Sequence, residues 1–428
     1  MTTPITPAKP RFFSRLHALL ARSGPGLITG AADDDPSGVV TYSSAGAAFG
    51  YTLGWTVVLC LPFMVAVQEI SARIGRVTGT GLAAALRIHT PPWFTATMVA
   101  LLVGANVINL GADISAMGDV ARLMFGGYAE IWAIMAAVIC AASAIWIDYR
   151  NYVRVMKFLT LPLLAYFVLL FIANTNWRHA LIGIFVPHVP TTRAGWTMVV
   201  AVLGTTISPY LFFWQADEEA EDEHLLADPR PLREHADDAP EQMRRIGYDT
   251  WTGMIFSNAV AVAIIWGAAA TLNLHGVTNI ETATQAASAL APVAGRYAML
   301  LFGFGIIGTG LLAVPVLAGS VAYTVGEARG WKVGLNRRAK EARAFYGALA
   351  ASTFVGLLIA LSPIDPVKAL VGSAVLNGIA ATPLIVTITV FGMKKSIMGE
   401  LTLPAWLIVG GFASALLMGV ATLAMFLL

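Results

Sequence analysis

Long apolar runs separated by short polar segments make up most of this 428-residue chain. A helix needs about 20 apolar residues to cross a bilayer, and by that measure the sequence predicts about eleven membrane-spanning helices. They lie near residues 25–47, 52–73, 93–120, 128–147, 156–175, 195–215, 250–273, 297–325, 344–361, 367–391 and 404–427. The pattern therefore predicts an all-α membrane protein, with longer polar segments only at residues 1–24 and 217–247.

Composition supports this class. The chain is 57% hydrophobic and 12% charged, whereas about 25% of the residues in a soluble domain are charged. Most of the surface is therefore expected to face the lipid bilayer, and a net charge of +2 is too small to indicate nucleic acid. The two cysteines are too few for a disulfide framework or a zinc cluster. The sequence has neither a His-Glu-x-x-His helix nor a Walker loop, so neither an enzyme nor a resident cofactor is expected.

Lysine and arginine residues are distributed unevenly between the two sides that eleven spans define. Of the 27 in the chain, 22 fall on the side of the N-terminus and 5 on the other side. Because positive charge concentrates on the cytoplasmic side of membrane proteins, the N-terminus is predicted to be cytoplasmic and the C-terminus outside. Residues 1–24 then form a cytoplasmic tail and residues 217–247 a cytoplasmic loop. The chain is expected to be a multi-pass monomer of the inner (plasma) membrane.

Two of the predicted spans carry breaks in their middles. The first reads Gly-Ala-Ala-Asp-Asp-Asp-Pro-Ser-Gly at residues 30–38, and the sixth reads Gly-Thr-Thr-Ile-Ser-Pro-Tyr at residues 204–210. Proline removes a backbone donor and glycine lowers the cost of unwinding, so both segments are expected to interrupt their helices. Aspartates inside a span and paired interruptions in two halves of a chain both indicate a transport site.

The two broken spans are five spans apart, as in two inverted five-helix repeats followed by one extra helix. Repeat one would cover about residues 25–175, repeat two about 195–391 and the terminal helix about 404–427. Alternatively, Pro36 and Pro209 only kink their helices, and the aspartates form a loop outside the membrane. That alternative leaves the first span with too few apolar residues to cross.

At these residues the chain resembles the NRAMP family of divalent metal transporters. The family's first helix carries Asp-Pro-Gly-Asn after Gly-Pro-Gly, and this chain has Gly-Pro-Gly at 24–26 and Asp-Pro-Ser-Gly at 35–38. The family's segment after span 2 and its Met-Gly-Glu after span 10 are matched here by residues 68–83 and 398–400. The resemblance implies a LeuT-like fold in which spans 1 and 6 are broken.

The departures from the family pattern concern the residues that bind metal and carry protons. In the family, a methionine and a histidine stand where this chain has Ser208 and Tyr210, and an asparagine stands where it has Gly38. The glutamate of the family's proton path is replaced by Ala116, although Asp113 of the same motif remains. This pattern is similar to that of the NRAMP-related magnesium transporters, a branch of the same superfamily.

The candidate metal ligands supply oxygen rather than sulfur. They are side-chain oxygens and backbone carbonyls freed by the breaks, with one glycine adding volume: Asp35, Ser208, Thr205, Ala32 and Gly38. Without methionine sulfur the site loses a preference for transition metals. A wider and harder site suits Mg²⁺, which dehydrates reluctantly and keeps several waters. The candidates for a layer around these ligands are Asp33, Asp34, Tyr210 and Asp113.

The sequence therefore predicts a secondary transporter for the uptake of a divalent cation, with Mg²⁺ the favoured cargo. Proton coupling is not expected, because Tyr210 and Ala116 replace two titratable groups that the resemblance assigns to coupling. Three alternatives stay open. They are a proton-coupled Mn²⁺/Fe²⁺ transporter of ordinary NRAMP type, a carrier of an amino acid or organic cation on the same fold, and a channel or sensor.

Overall fold

The structure is a computed structural model. It describes residues 29–30, 32–147, 157–173, 175–224, 230–234, 236–280 and 283–428. These residues form helices and connecting segments, and no β-strand occurs among them. The predicted tail at residues 1–24 and the Gly-Pro-Gly motif at 24–26 lie outside the described residues.

The first half of the described chain contains seven α-helices and one 3₁₀ segment, Lys157–Leu164, that leads into the sixth of them. They are α1 (Pro36–Phe49), α2 (Gly54–Thr78), α3 (Leu82–His89), α4 (Pro92–Phe125), α5 (Ala129–Trp146), α6 (Ala165–Ile172) and α7 (Trp177–Phe185). Residues 29–30 and 32–33 are also helical, and Asp34 and Asp35 separate them from α1. The first predicted span is therefore interrupted where the Asp-Pro sequence stands.

The second half begins with the two helices of the second broken span and continues with four long helices and four shorter ones. In chain order they are α8 (Arg193–Thr206), α9 (Pro209–His224), α10 (Ala239–Thr271), α11 (Ala283–Ser288), α12 (Ala291–Ala294), α13 (Ala298–Arg329), α14 (Arg343–Ala360), α15 (Pro366–Met393), α16 (Lys395–Met398) and α17 (Ala405–Leu427). Ile207 and Ser208 interrupt the predicted sixth span between α8 and α9.

Among the described residues, nine helical stretches are long and apolar enough to cross a membrane, and a bent pair, Leu161–Ile172 with Trp177–Phe185, would make ten. Helices α8 and α9 count as one of the nine, from Arg193 to Glu223. Helix α1 is not among them, because the break leaves it only 14 residues. The all-α membrane architecture predicted from the apolar runs is confirmed.

The polar segment predicted as a loop at residues 217–247 is largely helical. Helix α9 continues to His224 and α10 begins at Ala239, so the connection between them is much shorter than expected. Glu219 is completely buried, and Arg245 of α10 donates to it at 2.5 Å. Because such pairs satisfy the acidic side chains, the helices extend past the apolar residues, and the segment is not simply a solvated loop.

Glycines bring the two broken helices close to their neighbours. A Cβ atom at Gly46 of α1 would overlap the carbonyl oxygen of Ile265 in α10. A Cβ at Gly204 of α8 would overlap the carbonyl oxygen of Ala374 in α15 and lie 2.5 Å from the Gly378 nitrogen. Small residues at helix contacts allow such close backbone approach inside membranes. These contacts hold α1 and α8 beside α10 and α15.

Candidate metal-binding site

The first break ends at Asp35, the N-cap residue of α1. Its backbone is extended, and Pro36 follows as the first helical residue, where a missing backbone N–H is harmless. The Asp35 Oδ1 atom accepts hydrogen bonds from the Gly38 backbone N–H at 2.6 Å and from the Ser37 hydroxyl at 2.7 Å. Asp35 therefore starts the helix by satisfying its first donors.

The second break lies between α8 and α9. The Ser208 hydroxyl donates to the backbone carbonyls of Gly204 and Thr205, both at 2.8 Å. These carbonyls belong to the last turn of α8, where a helix leaves acceptors unsatisfied. The Thr205 hydroxyl is buried and has no hydrogen-bond partner among the described residues. The Ser208 hydroxyl thus caps the C-terminal end of α8, while the Thr205 hydroxyl is available to a ligand.

Tyr210 joins the two breaks. Its hydroxyl lies 3.1 Å from Asp35 Oδ2 and 3.4 Å from the Ala32 carbonyl oxygen. A Cβ atom at Gly38 would lie 3.3 Å from Thr205 Cγ2 and 3.4 Å from Asp35 Oδ1. The structure therefore brings together residues from both interrupted spans: Ala32, Asp35, Gly38, Thr205 and Tyr210.

Helix α4 adds a contact that the sequence analysis did not identify. The Asn109 Nδ2 atom donates to Asp35 Oδ2 at 3.1 Å, and Ser373 of α15 donates to Asn109 Oδ1 at 2.8 Å. Asn106 and Asn109 are completely buried in this apolar span. Their spacing of three, followed by Asp113 four residues later, places all three on one helix face. That polar face was the available signal for this side of the site.

Hydrogen-bond donors occupy both carboxylate oxygens of Asp35. Ser37 and Gly38 donate to Oδ1, and Asn109 and Tyr210 donate to Oδ2. An ionised carboxylate has about four acceptor positions, so a cation that bound Asp35 would have to displace at least one donor. The Gly38 N–H is fixed in the first turn of α1, whereas Asn109 and Tyr210 donate through side chains from other helices.

Three other aspartates surround the breaks without sharing the donors of Asp35. Ser257 of α10 donates to Asp33 Oδ2, and Asp34 Oδ1 has no hydrogen-bond partner in the described part of the chain. Asp113 is completely buried, and neither of its carboxylate oxygens has a partner there.

The ligands at the breaks are mainly neutral oxygens. No group of three or more His, Cys, Asp or Glu side chains is placed to hold a metal ion in the ranges that the structure describes. Neutral oxygens at the two breaks include the Thr205 hydroxyl and the Ala32 carbonyl, whereas Asn109 presents its NH₂ donor to Asp35. One carboxylate with neutral oxygens and water is a ligand set that hard divalent cations accept.

Replacing Tyr210 with phenylalanine is expected to raise the apparent affinity for a divalent cation roughly tenfold, because one donor no longer competes for Asp35. Isothermal titration of the purified protein with Mg²⁺ and Mn²⁺ measures this change. Tyr42→Phe is the matched control, since the Tyr42 hydroxyl is equally buried and has no partner among the described residues. Weaker binding by Tyr210→Phe would show that the hydroxyl holds the ion instead of competing with it.

Comparison with known proteins places these features in a family. A profile of the Nramp family, described as natural resistance-associated macrophage protein-like, matches residues 26–428. The chain is 26% identical over 405 residues to the divalent metal cation transporter MntH of Klebsiella pneumoniae strain 342, which covers 92% of this chain and 90% of that protein. MntH of a second Klebsiella pneumoniae strain is 27% identical over 399 residues, with coverages of 90% and 89%.

Solved structures share the fold. The crystal structure of an Eremococcus coleocola manganese transporter superposes with a TM-score of 0.75 at 15% identity, covering 98% of this chain and 88% of that one. The structure of MhsT with L-phenylalanine gives 0.58 at 13% identity, covering 94% and 97%. These neighbours confirm the LeuT-like fold. Because the family profile matches nearly the whole chain, this protein belongs to the Nramp family.

Proposed function

We propose that this protein is a secondary transporter that mediates the uptake of a divalent metal cation, and that its preferred cargo is partly hydrated Mg²⁺. The observation that carries the proposal is the position of Asp35, a buried carboxylate where two interrupted helices meet. An intramembrane carboxylate is costly, and a cation offsets that cost. Family membership and the names of the MntH relatives support a divalent metal as cargo.

The ligand chemistry supports Mg²⁺ within that class. Oxygen atoms of Asp35, Thr205 and Ala32 lie at the breaks, and Ser208 occupies the position where the family resemblance places a methionine. Hard oxygen ligands suit Mg²⁺, whereas thioether sulfur favours softer transition metals. With one carboxylate and few further ligands, the ion would keep much of its water shell, as Mg²⁺ does in most protein sites.

Uptake into proteoliposomes tests this cargo. Excess Mg²⁺ is expected to inhibit Mn²⁺ uptake by the wild type, because an oxygen site gives manganese no thioether advantage. Ser208→Met is expected to shift the Mn²⁺/Mg²⁺ uptake ratio toward manganese, with Ca²⁺ as the third ion in each comparison. Manganese uptake that a large excess of Mg²⁺ leaves unchanged would reject the magnesium assignment.

A proton-coupled Mn²⁺/Fe²⁺ transporter is the second candidate. The relatives favour it, because one solved neighbour is named a manganese transporter and the MntH proteins are named for divalent metals in general. Our proposal differs in coupling. Tyr210 and Ala116 replace the groups through which the family resemblance implies coupling, and an unperturbed tyrosine titrates near pH 10.

The membrane potential alone is expected to drive uptake. A divalent ion entering an inside-negative compartment gains about 4.6 kcal/mol per 100 mV, equivalent to more than a thousandfold concentration ratio. The measurement is Mg²⁺ uptake into liposomes that contain a pH-sensitive dye, with the potential clamped by a potassium ionophore. Acidification of the lumen that depends on Mg²⁺, persists under the clamp and disappears in Asp35→Ala would contradict the uncoupled mechanism.

We also propose that the N-terminus is cytoplasmic, the C-terminus outside and the working unit a monomer in the plasma membrane. The orientation rests on the distribution of lysine and arginine between the two sides of the predicted spans. A reporter enzyme that is active only outside the cytoplasm, fused after Leu428, is expected to be active. An inactive fusion of a well-expressed protein would reverse the orientation.

A further inference from the structure

Two buried carboxyl groups face each other where α9, α13 and the start of α3 meet. Asp217 of α9 is 3% exposed and Glu327 of α13 is 8% exposed. A Cβ atom at Gly81, just before α3, would overlap Asp217 Oδ1 and lie 2.6 and 2.7 Å from the two Glu327 carboxylate oxygens. Both carboxyl groups therefore border the same point beside the Gly81 Cα atom.

The two carboxyl groups have very different partners. Glu327 accepts hydrogen bonds from the backbone N–H groups of Gly81 at 2.7 Å and Ala84 at 3.0 Å. These donors belong to the first turn of α3, whose N-terminus favours negative charge. Neither carboxylate oxygen of Asp217 has a hydrogen-bond partner among the described residues. The Glu327 carboxylate therefore has hydrogen-bond donors for its negative charge, while Asp217 has none among the described residues.

The charged groups around Asp217 do not offset the negative charge that its ionised carboxylate would carry. The groups acting most strongly on it are Glu327, Glu218 and Glu221, all acidic. Glu221 is itself occupied, because Tyr323 of α13 and the backbone N–H of Leu335 donate to it.

The arginines near this junction interact with carboxylates other than Asp217. On α3, Arg87 acts on Glu327, and on α2, Arg76 lies 3.9 Å from Glu223. A second ionised carboxylate beside Glu327 would thus be buried without a donor or a cation, which is strongly unfavourable.

We propose that Asp217 and Glu327 form a proton-binding site, in which one proton is shared between the two carboxyl groups while α3, α9 and α13 are packed together. The proton lets Asp217 donate to Glu327, so the pair carries one negative charge, which the first turn of α3 stabilises. A hydrated metal ion is not accommodated, because the space beside Gly81 does not admit even a methyl group, and Mg²⁺ requires octahedral coordination.

The site gives the protein a response to pH that is separate from coupling. If α9 moves away from α3 and α13, water reaches both carboxyl groups and the proton leaves. The packed arrangement is therefore favoured at low pH and weakened as the pH rises, by up to about tenfold in its equilibrium constant per pH unit. Asp217 lies midway along α9 and Glu327 lies two residues before the end of α13, so the proton is expected to bind from and return to the side on which α13 ends. It modulates transport without crossing the membrane.

Asp217→Asn tests the site, because the amide keeps the size and the donor but cannot release a proton. The melting temperature of the purified full-length protein is measured between pH 5.5 and 8.5. The wild type is expected to lose stability with rising pH relative to Asp217→Asn, and the control Glu341→Gln, an exposed acid, is expected to follow the wild type. Parallel curves for the wild type and Asp217→Asn would overturn the proposal. Asp217→Ser serves the same test if the asparagine variant does not fold.

A second experiment measures transport and rests on the proposed function, so its result is interpreted separately from the melting curves. Mg²⁺ uptake is measured at equal pH inside and outside the liposomes, so that orientation does not matter. The ratio of wild-type to Asp217→Asn rates is expected to rise with pH, and a constant ratio would contradict the site. No uptake by either protein at any pH counts against the transport function, while the melting curves still decide the proton site. Stabilisation by Mg²⁺ of the wild type but not of Asp217→Asn would assign the pair to a metal and overturn the shared proton.

Discussion

Asp35→Ala is expected to reduce Mg²⁺ uptake at least ~100-fold while the protein still folds, because a cation at the breaks loses its charged ligand. Losing the cap of α1 costs only about 0.5–2 kcal/mol, which a large membrane protein tolerates. The measurement is uptake into proteoliposomes, with gel-filtration profile and melting temperature confirming the fold. Normal uptake by a well-folded Asp35→Ala variant would reject the site.

The chain offers two controls for this experiment. Asp365 caps α15 as Asp35 caps α1: its side chain accepts from the Lys368 N–H at 3.1 Å, and a proline follows it. Asp365→Ala therefore removes an Asp-Pro helix cap elsewhere and is expected to retain uptake. Asp35→Asn keeps an acceptor for the Gly38 N–H but loses the charge, and it is expected to be as inactive as the alanine variant. An active Asp35→Asn protein would mean that the charge is not what binds the ion.

Gly204→Val is expected to prevent recovery of a folded protein. The added Cβ would overlap the carbonyl oxygen of Ala374 and lie 2.5 Å from the Gly378 nitrogen. Both are backbone atoms of α15, so no side-chain rotation relieves the clash, and α8 must separate from α15. Overpacking of this kind costs about 1–3 kcal/mol or more. Detergent-extracted yield and melting temperature measure the effect.

Gly372→Val is the matched control for that substitution. Gly372 also lies in α15, but a Cβ there would meet nothing within 4 Å. It carries the same intrinsic cost of a β-branched residue in a helix without the backbone clash, so near-normal yield is expected. A Gly204→Val protein as stable as Gly372→Val would show that α8 and α15 are less tightly packed than the structure indicates.

The breaks were predictable from sequence because their causes are local. Pro36 and Pro209 cannot continue a helix, and an aspartate or serine beside each proline can satisfy exposed backbone groups. Asn109 was harder to place. It lies on the polar face of an otherwise apolar span, and only the packing of α4 against α1 decides whether that face meets Asp35. Tertiary contacts of this kind leave a weak signal in a single sequence.

The segment at residues 217–247 was predicted as a loop but is largely helical. Hydropathy counts each acidic residue as a reason for a loop, but it does not register the partner that each residue finds. Glu219 with Arg245 and Glu221 with Tyr323 are separated by 26 and 102 positions. The continuation of α9 beyond the apolar run was therefore not predictable from hydropathy.

The cap of α1 also bears on how long a cargo ion stays bound. Asp35 Oδ1 already accepts hydrogen bonds from the Gly38 N–H and the Ser37 hydroxyl. An ion coordinated by this oxygen therefore competes with donors in the first turn of the helix. A cap is worth about 1 kcal/mol, which corresponds to roughly fivefold weaker binding than a carboxylate with no other partner would give. Affinity differences of this kind appear mostly in the dissociation rate. If Asp35 binds the cargo ion as proposed, the helix is therefore expected to shorten the residence time of the ion, which favours its release in each transport cycle.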